Sequence, residues 1–319
     1  MSIWVICEAQ EGAIRRPTRE LAAQARRVAG DAEVVAVALG AEAAVAEEAL
    51  GGVVHRIVRV EGEGLDGYAA EPWTEALSEV LTGASPGLVL WSEGVRAREV
   101  LPRLAARLGW HAVMNALALE PADGGLRVLR PVVGGKAYQW LVVGGRPVLA
   151  AFRPNSFDPD VPADLDTSVE TRCCTVPAPR VEVLERGERT GARVDLTEAE
   201  VVVAGGRGLR SAQNLRLLEE LADALGGAVG VSRAVVDAGW ADHAIQVGKS
   251  GKTVSPALYV AAGISGAVHH TMGMDTAKVV VAINTDPNAP IFRYADYGIV
   301  GDALQVLPAL TEEIRKLRS

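Results

Sequence analysis

Four short segments in the last third of the chain combine glycine with residues that bind phosphates or the polar edge of a planar ring. Each follows a stretch predicted to be a strand, and ligands of open parallel sheets bind beyond the carboxyl ends of the strands. The first is Gly205-Gly206-Arg207-Gly208, where glycine would admit a phosphate and a following helix would offer free N–H groups. It is not a GxGxxG motif, and a plain tight turn explains this segment equally well.

The second segment, Ser232-Arg233, stands where a dinucleotide-binding chain would carry an acidic residue. An arginine at a strand end most often pairs with a carboxylate for structural reasons. Its other use is as a fixed positive charge beside a ligand that gains electrons.

The third segment is QVGKSGKT, which starts at Gln246. It ends like a phosphate-binding P-loop, but Gln246 replaces the first glycine, and Val254-Ser255-Pro256 leads into a strand where a P-loop needs a helix. A solvated basic turn is the plainer interpretation. The alternative is that the glycine, serine and lysine of this loop bond the polar edge of a planar ring.

The fourth segment is GISGAVHH, from Gly263 to His270. Its adjacent histidines, His269 and His270, point about 100° apart on a helix, whereas metal-binding pairs prefer a spacing of four residues. We therefore expect no metal site. A single histidine near a helix start is better suited to donate a hydrogen bond to an anionic ring oxygen.

Residues for bond-making chemistry are sparse elsewhere. The chain has no GxSxG motif and only five histidines in all. We therefore predict no catalytic residues, and a hydrolase gains little support.

Strand and helix patterns alternate over the first third of the chain. Strand-like runs at Ile3–Glu8, Val34–Leu39, Val53–Val60 and Leu88–Trp91 are separated by helical patterns. This alternation predicts a parallel sheet covered by helices.

Three further strand-like runs follow, at Val128–Val133, Tyr138–Val143 and Pro147–Phe152. The Gly-Gly pairs between them are hairpin signals, so we expect the N-terminal domain, residues 1–157, to end in antiparallel strands. Residues 158–195 are rich in proline and lack periodicity, which predicts a surface linker.

Residues 196–319 are predicted to form a second α/β domain. Strand patterns at Val201–Ala204, Ala228–Val231, Leu258–Ala262 and Val279–Asn284, with a leucine-rich helix at Ser211–Leu225, favour a doubly wound, Rossmann-like sheet. The predicted fold class is therefore α/β in both domains.

The bulk composition excludes several classes of protein. A net charge of −8 and an aromatic content of 4% argue against a nucleic-acid binder. No apolar run approaches the ~18 residues of a membrane span, and the start MSIWVICEAQEG lacks a basic leader. The three cysteines form no CxxC pair and are interpreted as reduced thiols, so we expect a cytoplasmic protein.

Taken together, the four segments resemble the FAD-binding domain of the alpha subunits of electron transfer flavoproteins. The most specific stretches are PALYVAAGISGAVHHTMGM and KVVVAINTDPNAPIFRYADYGIVGDALQVLP, with GGRGLRSAQN, VSRAVVDAGW and IQVGKSGKTVSP upstream in the family's order. The resemblance extends from Val203 to Pro308. The first domain resembles the family more weakly, in RPVVGGKAY and FRPNSF.

The resemblance implies one bound FAD and a beta subunit that completes a heterodimer. The residues that would bind the cofactor on the family pattern are Arg207, Ser232, Arg233, Gln246, Val247, Gly248, Lys249, Ser250, Ser265, Gly266, Ala267, Val268, His269, His270, Asn284, Asp302 and Ala303.

The resemblance also implies individual roles. Ser250 stands where the family places a hydroxyl facing flavin N5, and the usual threonine there also supplies a hydroxyl. Arg233 would favour the negatively charged reduced ring, and His270 would donate to the pyrimidine oxygen. Lys249 and His269 each replace a common glutamine, and an added cation near the ring would raise its potential.

The implied function is that of an electron carrier without substrate chemistry of its own, in fatty acid beta-oxidation. Electrons would come from acyl-CoA dehydrogenases or similar flavoenzymes and pass to a quinone oxidoreductase. Three alternatives stay open: an electron-bifurcating form that uses NADH and a ferredoxin or flavodoxin, an NAD(P)-binding enzyme domain, and a nucleotide-binding subunit without redox function. We expect no nucleic-acid partner and no membrane insertion.

Overall fold

The computed structural model describes residues 2–123, 125–181, 184 and 194–318. The chain divides into two compact units, Met1–Glu188 and Arg189–Ser319. Among the described residues, no helix is long and apolar enough to cross a bilayer, and no three His, Cys, Asp or Glu side chains are grouped to hold a metal ion.

The first unit is an α/β fold around a parallel sheet, as predicted. Its strands are β1 (Ile3–Ile6), β2 (Ala9–Gln10), β3 (Ala13–Ile14), β4 (Val34–Leu39), β5 (Arg56–Glu61), β6 (Leu88–Ser92), β7 (His111–Ala116), β8 (Ala118–Ala122), β9 (Gly125–Val132), β10 (Ala137–Val143), β11 (Val148–Phe152) and β12 (Ser168–Cys173). Its helices are α1 (Arg16–Val28), α2 (Glu42–Leu50), α3 (Ala70–Ala84) and α4 (Val95–Leu108). The parallel sheet has the order β12-β5-β4-β1-β6-β11-β7, and a separate antiparallel sheet has the order β10-β9-β8.

The parallel sheet is buried on both faces. Strands β1, β4, β6 and β11 are buried along their whole length, as expected of strands that helices cover on each side. On one face Trp91 of β6 stacks on Trp73 of α3 with their ring centroids 6.4 Å apart. Many of the few aromatic side chains of the protein therefore pack in this core.

One strand of this unit differs from the prediction. Strands β9 and β10 form the expected antiparallel hairpin, but β11 lies in parallel between β6 and β7. The prediction of an antiparallel third strand was wrong. The sequence of β11, VLAAF, is apolar and buried at every position, which suits the centre of a covered parallel sheet.

The segment predicted as a linker, residues 158–195, is structured in part. Strand β12 pairs in parallel with β5, and Cys174 after it is buried, so the linker prediction was wrong for this stretch. The strand is polar because it lies at the sheet edge, where Glu170 accepts hydrogen bonds from Arg56 and Arg172. Residues 182–183 and 185–193 of the predicted linker lie outside the described residues.

The second unit is a doubly wound α/β fold, as predicted. Its strands are β13 (Val201–Gly205), β14 (Ala228–Val231), β15 (Leu258–Ala262), β16 (Val279–Asn284) and β17 (Tyr297–Val300), and its helices are α5 (Arg216–Leu225), α6 (Arg233–Asp237), α7 (Val268–Thr271) and α8 (Ala303–Arg318). The sheet is parallel in the order β14-β13-β15-β16-β17. The predicted helix from Ser211 begins as an α-helix only at Arg216, after a 3-10 turn.

The order of the strands fixes where a ligand can enter the second unit. The chain leaves β13 on one side to form β14, then returns to the other side of β13 to form β15. The loops after β13 and β15 therefore diverge at their carboxyl ends, which is the topological switch point of an open sheet. Below it, Leu218 and Leu221 of α5 pack with Leu307 of α8 in one of the two cores.

Candidate functional site

A cleft of about 460 Å³ opens at the carboxyl ends of β13 to β16 in the second unit. All four segments singled out in the sequence contribute to its wall. The lining residues are Gly206, Arg207, Gly208, Ser232, Arg233, Ala234, Asp237, Gln246, Val247, Gly248, Ser250, Gly263, Ile264, Ser265, Ala267, His269, His270 and Asn284. Loops that are far apart in the chain meet here because parallel strands end at the same edge.

Glycine holds two of these loops in contact. The amide of Gly208 donates to the carbonyl of Gly263 at 3.0 Å, and a Cβ on Gly206 would lie 2.2 Å from the same carbonyl oxygen. Gly263 itself has φ +63°, a left-handed conformation that favours glycine. The switch point is thus lined by bare backbone, which lets an anionic group approach closely.

Two arginines bring positive charge to the cleft. Arg207 is exposed after β13, and Arg233 begins α6 with its side chain 68% exposed. The guanidinium Nε of Arg233 lies 3.4 Å from Oδ2 of Asp237, one turn along the same helix. This carboxylate offsets part of the charge of Arg233, and solvent screens the pair.

The loop after α6 places the Ser250 hydroxyl at the cleft, and a buried side chain orients this hydroxyl. Gln246 is buried, and its side-chain amide donates to Ser250 Oγ at 3.0 Å. The backbone amide of Val247 donates to the carbonyl of Val231 at 2.9 Å, which ties the loop to the end of β14. Since Ser250 Oγ already accepts this bond, its O–H group is left to donate.

His270 of α7 forms the inner wall of the cleft. The ring is 7% exposed, and Nε2 lies 2.9 Å from the hydroxyl of Tyr259. Burial lowers the pKa of His270 to about 4, while the nearby Val247 carbonyl opposes the shift. The imidazole is therefore neutral near pH 7 and acts as a hydrogen-bond donor or acceptor without a charge.

Most of the cofactor-binding residues predicted from the sequence lie on this cleft. They are Arg207, Ser232, Arg233, Gln246, Val247, Gly248, Ser250, Ser265, Ala267, His269, His270 and Asn284. The others, which are not among its lining residues, are Lys249, Gly266, Val268, Asp302 and Ala303.

Two of the residues outside the cleft, Lys249 and Asp302, make hydrogen bonds within the protein. Lys249 is exposed, and its backbone amide donates to the carbonyl of His269 at 2.7 Å. Asp302 accepts from the amide of Leu304 at the start of α8 and from Arg210 at 2.7 Å. A cofactor role for these residues stays a prediction.

The predicted set of cofactor-binding residues left out six residues that line the cleft. Four of them belong to the segments singled out in the sequence, Gly206, Gly208, Gly263 and Ile264, whereas Ala234 and Asp237 lie outside those segments. Asp237 follows Arg233 by four residues, the spacing that places side chains on one face of a helix. That spacing was the available signal, but a helix as short as α6 offers too little periodicity to recognise from sequence.

The corresponding place in the first unit is chemically different. Its switch point lies between β1 and β6, where the buried carboxylates of Glu8 and Glu93 follow the strands. Glu8 accepts from the indole N–H of Trp91 at 2.6 Å, and Glu93 accepts from Arg98 at 2.6 Å. Glu8 is also paired with Arg15, so both carboxylates form ion pairs here, and this edge differs from the glycine-lined backbone of the cleft in the second unit.

Comparison with known families agrees with the division into two units. Residues 3–180 match the family described as the electron transfer flavoprotein domain. Residues 195–275 match the family described as the electron transfer flavoprotein FAD-binding domain, a range that includes the loops of the cleft up to His270.

Individual relatives align over nearly the whole chain. The electron transfer flavoprotein subunit alpha of Bacillus subtilis is 37% identical over 318 residues, covering 98% of this chain and 97% of the relative. That of Mycobacterium tuberculosis is 38% identical over 315 residues, covering 98% of each. Protein FixB of Azotobacter vinelandii is 37% identical over 330 residues, covering 98% of this chain and 91% of the relative.

Proposed function

Because the chain belongs to the family of electron transfer flavoprotein alpha subunits, we propose that it is the flavin-holding half of a heterodimeric electron carrier. A beta subunit completes the heterodimer. The carrier accepts electrons from acyl-CoA dehydrogenases or similar flavoenzymes and passes them to a quinone oxidoreductase, in fatty acid beta-oxidation. The observation that carries the proposal is the cleft at the switch point of the FAD-binding unit.

The groups in the cleft fit FAD. Bare backbone at Gly206, Gly208 and Gly263, with Arg207 beside it, suits a pyrophosphate. The hydroxyl of Ser250 and the imidazole of His270 suit the polar atoms of a flavin ring. Atom Nδ1 of His270 is buried without a hydrogen bond from the described residues, so a bound ligand would supply the partner that this atom lacks.

When bound, FAD supplies the acceptance and release of electrons, one or two at a time. The chain's own residues adjust how readily this happens. Arg233 places a positive charge at the cleft, which favours the more negative, reduced cofactor. Ser250 donates a proton in a hydrogen bond whose direction Gln246 sets, and neutral His270 adds a hydrogen bond without a second positive charge.

A carrier of this kind needs no acid, base or nucleophile that acts on a substrate, because the cofactor itself accepts and releases the electrons. Arg, Ser, His, Gln and backbone groups bind and orient. The three cysteines carry free thiols, which supports a reducing compartment such as the cytoplasm.

The decisive experiment is the absorbance spectrum of the chain coexpressed with its beta subunit. We expect a flavin spectrum that is bleached by an acyl-CoA dehydrogenase together with its substrate. Bleaching by NADH with reduction of a ferredoxin would instead assign the bifurcating function. A colourless heterodimer, or one that holds stoichiometric NAD, would overturn the proposal.

A further inference from the structure

Tyr259 and His270 form a buried pair behind the wall of the cleft. Tyr259 lies on β15 and is fully buried, and its hydroxyl is 2.9 Å from Nε2 of His270. Tyr259 itself does not line the cleft, whereas His270 does. The pair therefore connects the core of the sheet to the ligand site.

The position of the proton within this pair follows from hydrogen-bond accounting. Nε2 of His270 is the one acceptor that the described residues offer to the hydroxyl proton of Tyr259. If Nε2–H donated instead, the hydroxyl proton would be buried without a hydrogen-bond partner, which is the less stable arrangement. The hydroxyl therefore donates, and a neutral His270 carries its own proton on Nδ1.

The surroundings of Nδ1 agree with this assignment. The carbonyl of Val247 lies close enough to raise the proton affinity of the ring, although it makes no well-formed hydrogen bond with Nδ1. Since Nδ1 has no well-formed hydrogen bond among the described residues, its proton is available to an acceptor that binds in the cleft.

We propose that Tyr259 is a positioning residue that holds His270 in the Nδ1-protonated tautomer, so that His270 presents a hydrogen-bond donor to the cofactor. Its consequence for FAD rests on the proposed function, because the acceptor is then a flavin oxygen. The tautomer itself does not depend on the flavin. Tyr259 touches no cofactor atom in this scheme and acts through His270.

The test is ¹⁵N NMR of the histidine side chains in the heterodimer with its beta subunit, with His270→Gln used to assign the signal. His55 provides a reference in the same spectrum: its Nδ1 accepts from the amide of Val34 at 3.0 Å, so neutral His55 is protonated on Nε2. We expect the opposite pattern for His270, with a protonated Nδ1 and an unprotonated Nε2. Protonation of His270 on Nε2 in the wild type would overturn the proposal.

The variant Tyr259→Phe keeps the buried ring and removes only the hydroxyl. We expect part of the His270 population to move its proton to Nε2, and the Kd for FAD to rise about tenfold, the equivalent of one hydrogen bond. Tyr294→Phe is the matched control, because that tyrosine is 43% exposed. An unchanged tautomer in Tyr259→Phe would contradict the positioning role. The flavin spectrum of the wild-type heterodimer tests the proposed function separately.

Discussion

The side-chain amide of Gln246 donates a hydrogen bond of 3.0 Å to the hydroxyl oxygen of Ser250. Gln246 is buried and Ser250 is exposed on the cleft, so a core residue sets the direction of a hydroxyl at the ligand site. The hydroxyl proton is left to donate outward. The hydrogen bond from Gln246 therefore orients the Ser250 hydroxyl, which would otherwise rotate freely.

Removing either partner should weaken the cofactor site. We expect Gln246→Met and Ser250→Ala each to raise the Kd for FAD about tenfold. Gln246→Met removes the bond that orients the Ser250 hydroxyl, and Ser250→Ala removes the hydroxyl itself, so each variant loses the equivalent of about one hydrogen bond. The double variant should lose less than the sum, because the two residues act together. Titration of the flavin-free heterodimer with FAD measures all three constants.

Two controls define this result. Ser250→Thr keeps the hydroxyl and should bind FAD almost as tightly as the wild type. Gln213→Met makes the same change at an exposed position and should have no effect. Strict additivity of the two cleft variants would show that Gln246 does not act through Ser250.

The ion pair of Arg233 and Asp237 should tune the reduction potential of the flavin in opposite directions. Arg233→Gln removes positive charge from the cleft and should lower the potential, whereas Asp237→Asn removes the compensating carboxylate and should raise it. Both effects are expected to be on the order of 40 mV or less, about 1 kcal/mol per electron, because the pair is exposed and screened. Redox titration at low and high salt measures them, and high salt should shrink both.

Lys249→Gln provides the comparison for these charge variants. The side chain of Lys249 is exposed and is not among the residues that line the cleft, so its effect on the potential should be smaller than that of Arg233→Gln. Equal potentials for Lys249→Gln and the wild type would remove the hypothesis that this lysine raises the potential. A shift larger than that of Arg233→Gln would mean that the lysine, not the arginine, dominates the field at the ring.

The glycine contact at the switch point should be essential for stability. In Gly263→Ala the new Cβ would lie 2.7 Å from Cα of Gly208, at a backbone φ of +63°. We expect a loss of roughly 3 kcal/mol or more in the free energy of unfolding, since overpacking against backbone adds to the left-handed strain. Thermal unfolding of the heterodimer and its FAD content are the measurements.

Gly226→Ala is the matched control for that prediction. Gly226 also has a left-handed φ, +70°, but nothing lies within 4 Å of its added Cβ. It should lose only about 1–2 kcal/mol, the cost of the backbone conformation, and keep its FAD. Equal losses for the two variants would show that the contact with Gly208 is not decisive.

Acidification should destabilise the protein partly through His270. Burial lowers its pKa to about 4 in the folded state, compared with about 6.5 in the unfolded chain. As the pH falls from 6.5 towards 4, the unfolded chain binds a proton here that the folded chain does not, so the free energy of unfolding falls. The contribution of His270 approaches about 3 kcal/mol near pH 4.

His270→Gln tests this linkage. We expect the unfolding temperature of the wild type to drop more steeply between pH 7 and pH 4.5 than that of the variant. His111→Gln removes an exposed imidazole from the first unit and should leave the slope unchanged. Parallel pH profiles for the wild type and His270→Gln would contradict the assigned cause.

The sequence by itself determined the α/β class, the doubly wound second unit and the four loops that form the cleft. These follow from local rules: strands and helices have their own periodicities, and the carboxyl ends of parallel strands meet at one edge. Local rules did not predict which distant segments of the chain pair with each other in a sheet. Strand β11 inserts between β6 and β7 and β12 joins β5 because burial of a whole sheet decides which strands are neighbours.

The tertiary structure also decided how individual side chains are used. Tyr259 and His270 are eleven residues apart, and only the packing of α7 against β15 brings their polar atoms to 2.9 Å. Asp302 caps α8 and pairs with Arg210 from another loop. The ion pair forms because the fold places the loop of Arg210 next to the start of α8. A residue's chemical type is local, but its hydrogen-bond partners depend on the fold, because burial leaves each polar group only the partners that packing brings within reach.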